Sequence, residues 1–109
     1  MAQLPTITKM RAEHGDYRPG QAVRYRITGG DLAPEWAAAV AVHGRPAWCE
    51  VTIWPDGRVG SYGGEVWPTA WPELFGSTGT QEWPRGTAQN PAGLRLTEAG
   101  RAAFAMVSA

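Results

Sequence analysis

The chain is 109 residues long, carries ten basic and ten acidic side chains for a formal net charge of zero, and has one cysteine, Cys49. That length fits a single globular domain over 1–109, burying roughly 65% of its unfolded surface and folding without metal or disulfide support; the zero balance argues against a generally basic nucleic-acid binder. The N-terminal MAQLPTITKMRAEHG lacks an apolar stretch of signal-peptide length and no later window reaches that of a membrane span, so the expectation is a cytoplasmic protein with no membrane contact.

Residues 1–20 hold few apolar positions, Leu4, Ile7 and Met10 being the exceptions, and lead to a turn at Pro19 and Gly20. They read as a loosely ordered arm or an edge strand. From Gln21 to Thr28 the alternation is clean, with Val23, Tyr25 and Ile27 on one face and Arg24 and Arg26 on the other. Such a half-buried strand projects the two arginines side by side about 7 Å apart, a spacing suited to carboxylates or phosphates. Gly29 and Gly30 end it.

The next stretch, DLAPEWAAAVAVHG over 31–44, has the grammar of a helix: Asp31 or a near neighbour as cap, Pro34 in the first turn and a terminal glycine. Trp36, Val40 and His43 share one stripe. The competing reading makes Ala38–Val42 a strand, because Val-Ala-Val is ambiguous by period alone.

The most legible segment is WCEVTIWPDGRVGSYGG, 48–64. Pro55, Asp56 and Gly57 predict a three-residue hairpin loop, a type I turn closed by a left-handed glycine, which pairs Trp54 with Arg58. Alternation then sets Cys49, Val51, Ile53 and Val59 on a core face and Trp48, Glu50, Thr52, Trp54, Arg58 and Tyr62 on the other. Tryptophan, tyrosine and arginine are enriched at interfaces. The second face is therefore the leading candidate for partner binding, unless a helix covers it and makes Trp48 and Trp54 a second core.

Four tryptophans, Trp54, Trp67, Trp71 and Trp83, each precede a proline, which holds them extended as stiff apolar corners. Their spacing is too irregular for a repeat array. Trp67, Trp71, Leu74 and Phe75 are expected to plug one end of the core, with a helical turn over Pro72–Phe75 stopped by Gly76. Residues 76–93 form a long loop, shortened if Thr80–Trp83 is an edge strand; Trp83 and Arg85 near its middle are a second candidate contact. Leu94 and Leu96 end a strand, Thr97 caps, and Glu98–Val107 is a helix turning Phe104 and Val107 to the sheet. The resulting fold class is α+β: a small single domain with an antiparallel β-sheet and a central β-hairpin packed against one or two helices.

The residues with catalytic potential are few. Cys49 lies on the core face, and His14 and His43 are far apart in sequence; His14 and Asp16 offer two ligands where zinc requires three or four. No phosphate loop or dinucleotide fingerprint occurs. The expectation is no enzyme, no metal and no cofactor. Leu94–Ala103, LRLTEAGRAA, resembles the strand-to-helix passage after the wing of MarR-like winged-helix regulators, a resemblance that implies DNA binding. It covers ten residues; upstream, where that family has three helices, this chain has turn-rich β segments, and no residue is carried over.

Charge is segregated. Residues 1–30 carry five bases against two acids, 31–84 seven acids against two bases, and 85–109 three bases against one acid. An acidic middle between basic ends solvates the surface or supports docking with a partner or another copy. The first functional expectation is a non-catalytic protein-interaction or structural module binding a protein partner or itself through Trp48, Trp54, Arg58 and Tyr62, with Trp83 and Arg85. It is compatible with a phage or mobile-element accessory protein, virion-associated or inhibiting a host system. The second is nucleic-acid binding through Arg11, Arg18, Arg24 and Arg26 with stacking aromatics; sugar binding on exposed tryptophans ranks third.

Overall fold

A computed structural model describes residues 3–12, 17–42, 44, 47–77 and 93–107. In chain order its elements are β1 (Thr6–Lys9), β2 (Val23–Thr28), α1 (Pro34–Ala41), β3 (Trp48–Ile53), β4 (Val59–Gly64), a 3-10 turn (Pro68–Ala70), β5 (Phe75–Ser77), β6 (Leu94–Leu96) and α2 (Glu98–Ala105). Strands β1 to β4 form an antiparallel sheet in sequence order, and β5 and β6 a second antiparallel pair. The fold is a small α+β domain. The N-terminal segment resolves in favour of an edge strand, pairing Ile7 with Ile27.

The central hairpin follows from its turn chemistry. The Trp54 amide donates to the Arg58 carbonyl at 3.0 Å and the Gly57 amide to the Trp54 carbonyl at 2.9 Å, with Gly57 left-handed at φ +91. The Asp56 carboxylate accepts from the Arg58 amide at 3.0 Å, the local bond that makes aspartate a turn residue. Beyond the turn Ile53 pairs with Val59 and Val51 with Ser61, but Glu50 pairs with Gly63. A bulge therefore absorbs Tyr62, and strict alternation does not extend to that position.

On the inner face Ile27, Cys49, Val51 and Val59 are fully buried. Against them pack Trp36 and Val40 of α1, Phe104 of α2, and Trp71, Leu74, Phe75 and Leu94. Phe104 meets Tyr25 edge-on at 4.8 Å and Phe75 at 5.8 Å, the offset geometry that aromatic quadrupoles favour. Trp71 is the bolt of this core: 2% exposed, it donates its indole N–H to the Gly29 carbonyl at 2.8 Å, so its polar edge stays satisfied while its rings are buried.

Several local expectations are corrected. Asp31 does not cap α1: its carboxylate accepts from the Gln3 amide at 2.7 Å and its amide donates to the Gln3 carbonyl at 2.8 Å. Tertiary pairing with the N-terminal segment outcompetes the local cap. Ala33 takes the cap position with no side-chain bond, its amide bound to the Ala70 carbonyl at 2.8 Å. The expected turn before Gly76 is present, the Leu74 and Phe75 amides donating to the Trp71 carbonyl at 3.0 and 3.2 Å, but a 3-10 turn over Pro68–Ala70 precedes it and Phe75 also opens a strand. Trp67 does not join Trp71, Leu74 and Phe75 in the core but is 43% exposed. At the other end Thr97 caps α2 by accepting from the Gly100 amide at 2.9 Å, and α2 stops at Ala105, short of Val107. The strand-to-helix passage is present, yet the antiparallel sheet around it is not a winged helix.

Candidate functional site

The register of β2 on β3 decides what the outer face of the sheet looks like. Thr28 lies opposite Trp48, Arg26 opposite Glu50, and Arg24 opposite Thr52. The arginine strand and the aromatic face, two separate candidates in the sequence, are thus the same face of the same sheet. Phe104 of α2 is buried in the core and Trp36 and Val40 of α1 pack partly buried against it; among the described residues no helix packs on the outer face.

Glu50 is the hub. Its carboxylate lies 3.1 Å from Arg24 Nη2 and 3.7 Å from Arg26 Nη1, with the three side chains 20%, 28% and 46% exposed in that order. The Arg26 guanidinium also stands over the Trp48 ring, 4.2 Å from its centroid, well inside cation–π range. A carboxylate, a stacked guanidinium and an indole therefore fix one another on a half-buried face. Two cations sharing one anion leave a mildly positive face, which phosphate binding would want far more positive.

At the hairpin end the arrangement differs. Arg58 Nε donates to the Asp56 carboxylate at 2.8 Å, and its guanidinium is 6.0 Å from the Trp54 centroid, at the limit of a cation–π contact. Asp56, not Trp54, holds Arg58 in place. The backbone hydrogen bond from Arg58, aided by that residue's charge, holds the Asp56 carboxyl below its ordinary value. Trp48 and Trp54 are both half-buried.

Tyr62 lies at the β4 bulge, outside the ladder pairing. Arg11 is exposed just beyond β1, and Arg18 is exposed in the turn before β2, its carbonyl accepting from the Gln21 amide at 3.0 Å; neither belongs to the Glu50 cluster. Trp83, Arg85, His14 and His43 lie outside the described residues.

Alternation places Glu50 and Thr52 on this face, but neither stands among the binding residues expected from sequence. Glu50 was visible as a carboxylate among aromatics, but its bridging role needs the cross-strand register. Thr52, central in the register between Arg24 and Gly60, is 7% exposed and its hydroxyl has no hydrogen-bond partner among the described residues; nothing local marks it. For chemistry, burial and then the charge of Glu50 push the Cys49 thiol up to about 12, so the sulfur packs as a small neutral hydrophobe. Among the described residues no group of three or more His, Cys, Asp or Glu side chains could hold a metal, and no helix is long and apolar enough to cross a membrane. No family model, curated protein or solved structure matches this chain.

Proposed function

We propose that the protein is a non-catalytic interaction module that binds a protein partner on the outer face of its four-stranded sheet, with Trp48, Trp54, Arg26 and Arg58 as anchors. One observation supports this above the others: a guanidinium stacked at 4.2 Å on a half-buried indole, on a sheet face carrying no described helix. Pre-ordering two rotamer-rich side chains lowers the entropy lost when a partner covers them, and Trp and Arg dominate binding hot spots. Glu50 favours a protein over a polyanion because it offsets the two strand arginines and would repel phosphates.

In biological terms the reading suits an accessory protein of a phage or mobile element, acting in the virion or on a host system in the cytoplasm. Its test is a paired capture experiment. The native protein is used to isolate and identify a partner, and the affinity for that partner is compared with Arg26→Glu/Trp48→Ala and Arg58→Glu/Trp54→Ala. Each double variant should keep its circular dichroism and lose roughly 30-fold in affinity, as a hot-spot loss of about 2 kcal/mol implies. Unchanged affinity in both removes the face from consideration. Salt-sensitive retardation of a DNA or RNA probe, lost on mutating Arg11, Arg18, Arg24 and Arg26, would instead establish nucleic-acid binding.

A further inference from the structure

The geometry points to a second surface, independent of the first: two copies of this chain pairing through β1 about a two-fold axis, so that their two four-stranded sheets become one continuous sheet. Where the hairpin turn leads into β4, the opposite side of the sheet is engaged by the bridge of Arg58 to Arg95 and by the Leu96 amide donating to the Gly57 carbonyl at 3.0 Å. β1 is the other edge, and among the described residues no strand pairs with its outer side. The Met10 amide donates to the Arg24 carbonyl at 2.9 Å. Because antiparallel pairs alternate in bonding direction, Thr6 and Thr8 also face β2, and the N–H and C=O groups of Ile7 and Lys9 point away from the sheet.

These outward groups are self-complementary. With the axis on Ile7, each Ile7 exchanges N–H···O bonds with Ile7 of the second copy, and each Lys9 amide donates to the Pro5 carbonyl opposite, so the proline supplies only an acceptor. Beside β1 runs a largely apolar groove of about 670 Å³, lined by Leu4, Ile7, Ala103, Met106 and Val107 with Thr8 and Lys9 on its rim. Leu4 is 56% and Met106 84% exposed, and the incoming Ile7 would fall over this groove.

Charge selects a second copy as the occupant. The C-terminal end of β1 carries Lys9 and then Arg11, while its N-terminal end borders a cleft lined by Gln3, Leu4, Pro5 and the exposed Asp31 and Glu73. Antiparallel pairing sets the basic end of each copy against the acidic end of the other, twice over. The segregation of charge between residues 1–30 and the acidic middle acquires a physical role in this arrangement. The contact is isologous and uses up the open edge, so assembly closes at two copies.

The test is the solution mass of the full chain together with amide exchange. The native protein should show twice the 11.8 kDa of one chain, dissociating on dilution, and its Ile7 and Lys9 amides should lose protection in step with the mass. Lys9→Glu and Glu73→Lys should each halve the mass, and the Lys9→Glu/Glu73→Lys double variant should restore the dimer. A native protein monomeric at every concentration, a dimer indifferent to both reversals, or Ile7 and Lys9 amides that exchange freely in the dimer would each overturn the pairing.

Discussion

Cys49 shows how a single buried position reports on the whole core. Its thiol, ordinarily near 9.0, is raised to about 12 in the fold, so the folded chain keeps a proton that the unfolded chain releases. The stabilisation is complete below about pH 9 and is lost as pH rises toward 12; Tyr25, raised by burial in the same direction, adds to the trend. Thermal unfolding between pH 8 and 10.5 should show native stability falling more steeply than that of Cys49→Ala, by up to about 1.4 kcal/mol per pH unit. Gly100 makes a steric counterpart. A Cβ there would stand 2.1 Å from the Leu74 carbonyl oxygen, backbone that cannot swing aside. Gly100→Ala should therefore destabilise by about 2 kcal/mol in urea unfolding although alanine is the better helix former. A gain in stability would show that α2 can move off Leu74.

At the level of elements, the parts that followed from sequence are those whose determinants are local. Trp54 through Arg58 specify their own turn, since Pro55, Asp56 and Gly57 each suit one corner by their own backbone preferences. Thr97 likewise caps α2 from its own first turn, and its hydroxyl also donates to the Glu73 carbonyl. Thr97→Ala should cost about 1 kcal/mol from the cap alone, and more to the extent that the Glu73 bond matters, read from the shift in urea midpoint. The parts that departed from expectation are those settled by distant partners. Asp31 has the chemistry of a cap but bonds Gln3; Phe75 continues a turn by pattern but pairs with Leu96 across the β5–β6 ladder. Gly100, unfavourable by propensity, is required by the close approach of the Leu74 carbonyl rather than by the helix.

Across the whole molecule the relation between surfaces matters more than either surface alone. Arg24 and Arg26 along β2, and Trp48 and Trp54 along the first arm of the hairpin, were legible as outward-facing residues from a period of two. That Glu50 joins them, and that Arg26 covers Trp48, depends on pairing Arg26 with Glu50 rather than with a neighbour one step away, and the sequence of β2 holds no signal for that step. A paired β1 edge would set two such faces side by side on one sheet and double the partner's contact area, so a bivalent partner should bind more tightly to the native protein than to Lys9→Glu. By itself the sequence determined the hairpin, the strand faces, the α2 cap and the α+β class, because turn chemistry, alternation and capping act over a few residues. Only the tertiary structure decided the bulge at Tyr62, the exposure of Trp67, the Glu50 hub and the open edge of β1, because each depends on which distant backbone lies alongside.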